Sequence, residues 1–355
     1  LRKKAGIRAI PERKYCCIKA DNLFGFLRSF KHEYPQNRRR NIYKNIFYGG
    51  RKNALLQEWI DDEEIVGNFV KDSQKVECDF QYANILIPAN NEESYIAKLL
   101  DSLLQQRVKN WVPCIVVIAN ACTDSTVEIC ESKAADFQRL GWKYTVLETE
   151  QPGKCNAINL GERSCQPGPR IYLDADIVCS ENLVSAICNA LDTSAPLYAT
   201  GKLSVMNPRS WISKQYRNFW LETPFIKSRA VGAGVYAVND AGRARWGDFP
   251  EIISDDTFVR LNFSPSERVE VNEEFHWPLT EGFRRLVKVR NRQNMGVDEI
   301  GQLYPEIVSN EGKKNFSASN LLYLLFSKPV PFFVYSLVSA AVLLKKHENQ
   351  WDRGR

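Results

Sequence analysis

Two pairs of carboxylates stand out by type and spacing. Asp174 and Asp176 follow a short apolar run in "RIYLDADIVCS". Residues two apart in extended backbone point to the same side. Two carboxylates so placed suit one hard divalent cation, Mg²⁺ or Mn²⁺, which takes oxygen ligands and is often completed by substrate phosphates. Asp255 and Asp256 open a helical pattern in "ISDDTFVRL". There a carboxylate can take a proton from a substrate hydroxyl, or simply favour the positive end of a helix dipole. Lys154 in "QPGKCNAINLG" and Arg290 and Arg292 in the basic run "FRRLVKVRNRQNMG" are the accompanying cations. Guanidinium groups suit bidentate phosphate contacts; a solvated basic helix face is the equal alternative. An Asp-x-Asp by itself also reads as an acidic turn, so its place in the fold decides.

The surrounding pattern supplies that place. "ANILIP" (83–88), "CIVVIA" (114–119), "KYTVLE" (143–148) and "RIYL" (170–173) are short apolar runs bounded by turn residues, the signature of buried strands. Between them lie helical stretches. In "NNEESYIAKLLDSLLQQ", Ile96, Leu99, Leu100, Leu103 and Leu104 share one face, with Asn90 or Asn91 predicted as cap and Glu92 and Glu93 at the positive end. "CTDSTVEICESKAADF" predicts a second helix, and "GKCNAINLGERS" a third that opens at Gly153. This alternation predicts an α/β protein with a doubly wound, mostly parallel sheet and flanking helices. Ligands of such sheets bind at the carboxyl ends of the strands, which is where Asp174 and Asp176 fall.

Six segments occur in order: "ILIPANNEE", "VVIANACTDST", "QPGKCNAINLG", "YLDAD", "GAGVYAVNDAGRARWGDFP" and "ISDDTFVRL". Together they resemble the family-2 glycosyltransferases, nucleotide-sugar enzymes of the GT-A fold, over roughly residues 83–294. The resemblance implies an inverting, metal-assisted transfer of a sugar from a nucleoside diphosphate to a hydroxyl of a glycan or lipid-linked acceptor. That is the chemistry of polysaccharide or glycolipid synthesis. It implies that Pro88, Ala89, Asn91 and Glu92 meet the base and ribose. Asn120 stands where the family usually has an Asp, and it retains an acceptor oxygen. Lys154 faces the diphosphate or the Asp cluster. Asp176 ligates Mn²⁺ or Mg²⁺, with Asp174 nearer the ribose or the metal. Asp256 is the implied base and Asp255 orients it. Gly232 and Gly234 fall where the family places acceptor contacts, through close backbone approach or positive φ, with a plain strand turn as the near-equal alternative. Trp246 and Phe249 read either as walls of an acceptor pocket or, at least equally, as buried core aromatics. The family's Gln-x-x-Arg-Trp segment is absent, which argues against a processive synthase.

Composition bounds the remaining classes. Apolar residues are 44% and charged residues 25%, the balance of a folded chain. A net charge of +6 is too mild to argue for nucleic acid and suits an anionic substrate or a membrane surface. Ten scattered cysteines without a CxxC pair argue against zinc and for reduced structural thiols. "LRKKAGIRAI" carries no leader-like apolar stretch. The expected location is cytoplasmic, with peripheral contact at the inner face of a membrane.

The expected organisation is an extension over 1–80, the nucleotide-sugar domain over 81–300 and an apolar helical tail over 301–355. The extension carries a basic cluster at 37–45 and an acidic one at 61–64. From Pro329 to Leu344 the tail has no charge, yet it is shorter than the ~20 residues a spanning helix needs. A helix lying in a membrane surface is the favoured reading, ahead of a helix covering the domain or an oligomer contact. Two other functions compete. A sugar-phosphate nucleotidyltransferase needs a Gly-rich basic loop after the first strand, which "PANNEESY" lacks. A degenerate glycan- or partner-binding domain would not need Asp174, Asp176 and Asp256.

Overall fold

The carboxyl ends of three parallel strands gather most of these residues at one edge of a sheet. The computed structural model describes residues 82–228, 230–312 and 316–345. The readings for 1–80 and for the tail beyond 345 lie outside the described residues. The first half alternates as predicted: β1 (Tyr82–Ala89), α1 (Ile96–Leu104), β2 (Val112–Asn120), α2 (Thr126–Ser132), α3 (Ala134–Arg139), β3 (Lys143–Thr149), α4 (Lys154–Glu162) and β4 (Arg170–Leu173). The second half runs β5 (Val178–Cys179), α5 (Leu183–Leu191), β6 (Tyr198–Val205), α6 (Trp211–Trp220), β7 (Val235–Val238), α7 (Asp255–Leu261), β8 (Arg268–Trp277), α8 (Phe283–Leu303), α9 (Ala318–Ser327) and α10 (Pro329–Leu344).

The strands form one sheet in the order β3-β2-β1-β4-β7-β6-β8-β5. β1 runs parallel to β2 and β4, and β2 parallel to β3. The α/β class holds, but the sheet is more mixed than predicted. β7 is antiparallel to both β4 and β6, and β5 is antiparallel to β8. The reason is local. Leu173 pairs with Val235, and the Asp174 N–H donates to the Gly234 carbonyl at 2.9 Å. The chain therefore enters β7 at the carboxyl edge of β4 and can only run back. That reversal brings residues 232–234 to the same edge as Asp174.

Alternation along the strands builds two apolar layers. Ile85 and Ile87 of β1, Ile115 and Val117 of β2, and Ile171 and Leu173 of β4 face the layer that holds α1 and α5. Leu86, Val116, Ile118 and Tyr172 face the opposite layer, with Ile158 of α4 and Phe258 and Val259 of α7. Both faces are covered, so the strands read as near-continuous apolar runs. Ile96, Leu99, Leu100 and Leu103 of α1 are fully buried. Each contributes about 1.5–3 kcal/mol of transfer free energy to docking this helix.

Two helix boundaries differ from prediction. α1 starts at Ile96 without a side-chain cap, because Asn90 is engaged elsewhere and Asn91 has φ +53°. The second predicted helix breaks at Lys133 into α2 and α3. α8 runs through the domain boundary expected at 300. α10 packs on α6 and α8, with Tyr335 stacked on Tyr216 and Phe219 at 5.1 and 4.4 Å.

Candidate active site

The loops after β1 and β2 are laced together. The Asn90 amide donates to the carbonyls of Asn120 and Ala121. Asn91 Oδ1 accepts from the Thr123 N–H at 2.8 Å, and the Glu92 N–H donates to Thr126 Oγ1 at 2.7 Å. Ala121 is held at φ +48° and its N–H donates to the Thr149 carbonyl at 2.7 Å. Of the residues implied to meet the nucleotide, Asn91 is exposed and Pro88 half-buried, whereas Ala89 and Glu92 are buried. Asn120 is buried, and its Oδ1 accepts no hydrogen bond among the described residues. A buried acceptor without a donor costs about 1–3 kcal/mol, and a base N–H would remove that cost.

Lys154 sits at the start of α4, just after Gly153 at φ +125°. Its Nζ lies 2.7 Å from Asp174 Oδ1 and 2.9 Å from Asp255 Oδ2. One ammonium thus joins the carboxyl end of β4 to the start of α7. Burial works against its charge, yet Asp174, Asp255 and Asp256 together hold its pKa above the ordinary lysine value. The Tyr236 hydroxyl donates to Asp255 Oδ2 at 2.6 Å, and burial followed by the Asp255 charge keeps that phenol protonated. Asp256 is half-buried beside this cluster. Burial, then the Asp255 carboxylate, pushes its pKa up to about 6; Lys154 restrains the rise.

The loop before Asp255 is pinned from two helices. The Asn159 side chain of α4 exchanges two hydrogen bonds with the Phe249 backbone, at 2.9 and 2.7 Å. The Ile253 N–H donates to Glu299 of α8 at 2.8 Å. Gly296 allows α8 to come so close that a Cβ there would lie 2.1 Å from Ser254 Oγ. These contacts hold in place the loop that carries the carboxylate pair. Cys155 also borders the cluster, and burial pushes its thiol up to about 12, so it is not a thiolate.

Asp256 opens on a cavity of about 340 Å³, lined also by Ala233, Trp277, Arg290, Gln293 and Tyr335. The site residues read from the sequence divide accordingly. Arg290 reaches this cavity, while Arg292, two positions on and some 200° around α8, is not in its lining. The two arginines therefore do not form a joint clamp. Gly232 and Gly234 have the positive φ expected, +73° and +82°. Their close neighbours are the chain itself: a Cβ at Gly232 would lie 1.8 Å from the Tyr198 hydroxyl.

Trp246 takes the core alternative. Half-buried, it packs edge-to-face on Phe249, Phe258 and Phe263 beneath Arg243, against the core layer and outside the lining of this cavity. Its large apolar area fills the layer under α7, and Trp277 supplies the cavity wall instead. Tyr236, Asn159 and Tyr335 are contributors that the sequence reading missed. Tyr236 sits two residues past Gly234 inside a quoted segment, but a strand tyrosine carries no signal of its hydroxyl's partner.

Asp174 and Asp176 suit a divalent cation by donor chemistry. Both are carboxylates at the carboxyl edge of the parallel strands, and Asp176 is buried. No group of three or more His, Cys, Asp or Glu that could hold a metal occurs among the described residues.

Residues 84–244 match the model of glycosyl transferase family 2; Asp255 and Asp256 lie just beyond. Glycosyltransferase GlyA of Streptococcus pneumoniae is 28% identical over 103 residues, 29% of this chain and 14% of that protein. The poly(ribitol-phosphate) beta-N-acetylglucosaminyltransferase TarS of Staphylococcus aureus is 22% identical over 148 residues, 42% of this chain and 25% of that protein. The matched region thus spans a quarter or less of these relatives. Among solved structures, the mannosyltransferase PcManGT of Pyrobaculum calidifontis, in complex with GDP-Man and Mn²⁺, has a TM-score of 0.49 at 16% identity. It covers 75% of this chain and 76% of that one.

Proposed function

We propose that this chain, whose residues 84–244 match the model of glycosyl transferase family 2, moves a sugar from a nucleoside-diphosphate sugar to an acceptor hydroxyl with inversion. The observation that carries the reading is the Lys154 bridge. It unites Asp174 on β4 with Asp255 on α7 and sets Asp256 beside them. Donor and base functions then meet at one edge of the sheet.

Asn120 Oδ1 receives an N–H of the nucleotide base, and the laced loops after β1 and β2 frame the ribose. Asp174 and Asp176 would hold Mn²⁺ or Mg²⁺, and that cation would supply stabilisation of the charge that grows on the leaving group. The acceptor oxygen bonds to the anomeric carbon from the face opposite the diphosphate. The carbon–oxygen bond to the diphosphate breaks, and its electron pair leaves with the nucleoside diphosphate. The acceptor proton passes to Asp256. A carboxylate raised to about 6 is mostly ionised at neutral pH yet a stronger base than an ordinary aspartate. Tyr236 and Lys154 keep Asp255 in place, and Asp255 in turn sets the charge that tunes Asp256. Gly232 and Gly234 shape the backbone at the acceptor side.

The test is nucleoside-diphosphate release from a panel of nucleotide sugars with Mn²⁺. Asp256→Asn is expected to lower turnover by about 10³-fold or more while nucleotide binding is retained. Unchanged turnover would sink the base assignment.

A further inference from the structure

α10 is apolar on every side, yet only one side is covered. Val338 and Val342 are buried, and Tyr335 stacks on α6. The opposite stripe, Val330, Phe333, Leu337 and Leu344, recurs at helical spacing and is open, with Phe333 at 64% and Leu337 at 60% exposure. α9 joins α10 at a bend of 119° and adds Leu322, Tyr323 and Phe326, the last 80% exposed. No single described helix is long and apolar enough to cross a membrane. Together the bent pair has the length and composition of a broken span or re-entrant loop, but one side of α10 is committed to α6 and α8, which favours a surface over a span. α8 carries the exposed cations Arg284 and Arg285, which match an anionic headgroup layer.

The same helices wall the catalytic cavity. Tyr335 of α10 lines it, and its hydroxyl accepts from Arg290 at 3.2 Å. Among the described residues no carboxylate pairs with Arg290, so the cavity presents a guanidinium near Asp256. A second cavity of about 660 Å³, lined by Phe316, Tyr323 and Leu324 together with Glu222 and Lys227, shares Pro224 and Phe316 with the first. Cation, base and this amphipathic second cavity are therefore adjacent.

We propose that the acceptor is an anionic amphiphile drawn from a phospholipid bilayer on which α9 and α10 rest. Its phosphate meets Arg290, its hydroxyl meets Asp256, and its apolar part leaves past Phe316 and Tyr323. This rests on the glycosyl-transfer reading of the site and names its acceptor class.

The test uses the full chain and three readouts. The first is flotation with vesicles of phosphatidylcholine alone or with roughly one-third phosphatidylglycerol. The protein floats with the anionic vesicles at least about tenfold better, and Phe326→Ser with Phe333→Ser weakens that binding about tenfold or more. The second is binding of monomeric short-chain phosphatidylglycerol against phosphatidylcholine. Arg290→Gln reduces the preference for the glycerol headgroup about tenfold. The third is nucleoside-diphosphate binding, which the double serine variant leaves intact. Wild-type protein that binds nucleotide but neither lipid form overturns this inference and leaves glycosyl transfer standing; loss of nucleotide binding in wild type overturns the earlier reading instead. Self-association through the stripe without flotation, or an Arg290→Gln variant with unchanged lipid preference, also overturns it.

Discussion

Replacing Asp256 with Asn should make the protein more stable at alkaline pH while removing its activity. The folded environment raises this carboxyl from its ordinary 3.8 to about 6, through burial first and the Asp255 charge second. The native state therefore holds the Asp256 proton more tightly than the unfolded chain does. Stability falls as pH rises from about 4 to above 6, because ionisation is opposed only in the fold. A gap of about two pH units corresponds to about 3 kcal/mol at full burial. Asp256 keeps some contact with its cavity, so about 2 kcal/mol is expected. Asn matches the shape and can still accept from the Thr257 N–H, which now meets Asp256 Oδ1 at 2.6 Å. Urea unfolding at several pH values measures the effect. The variant should exceed wild type by about 2 kcal/mol at pH 8 and equal it near pH 4. A variant that is no more stable at pH 8, or whose gain is the same at both pH values, would refute the electrostatic account of this site.

Lys154→Met leaves Asp174 and Asp255 without their shared cation. Removing one member of such a largely buried cluster costs about 3 kcal/mol, to be read as a lower urea midpoint. The same change moves Asp256 further upward, because Lys154 is the cation that restrains it. Carbon-13 titration of aspartate carboxyls, with Asp256→Asn as the assignment control, should report that rise. Donor turnover should be flat at neutral pH and fall about tenfold per pH unit below about 6, as the base becomes protonated; a rise on acidification would contradict the assignment.

The legible part of the sequence was the part where spacing maps directly onto geometry. Ile85 and Ile87 against Leu86 foretold two covered faces, and the turn after "RIYL" foretold carboxylates at a strand end. Lys154 and Asp255 are 101 positions apart, so their contact follows from β7 returning alongside β4 and not from any local pattern. The antiparallel return itself was hidden, because "VGAGVYAV" reads equally well in either direction. Trp246 reads equally as pocket wall or core aromatic, because an aromatic near a motif carries no mark of which side of a layer it occupies. Arg290 and Arg292 looked equivalent in a basic run, and only the 3.6-residue turn of α8 separates them. The bent apolar pair at the C-terminal end was legible as apolar, but its uncovered stripe appears only once α6 and α8 cover the opposite side.

The central claim is that the Asp-x-Asp edge holds a nucleoside diphosphate through a divalent cation. Calorimetric titration of UDP, GDP, dTDP and CDP, each with Mn²⁺ and with EDTA, tests it most directly on wild type and Asp176→Ala. The account predicts that at least one nucleotide binds with Mn²⁺, and that this binding weakens by about a hundredfold in EDTA or in the variant. Binding that is identical in all three conditions, or absent for every nucleotide with Mn²⁺, would contradict it.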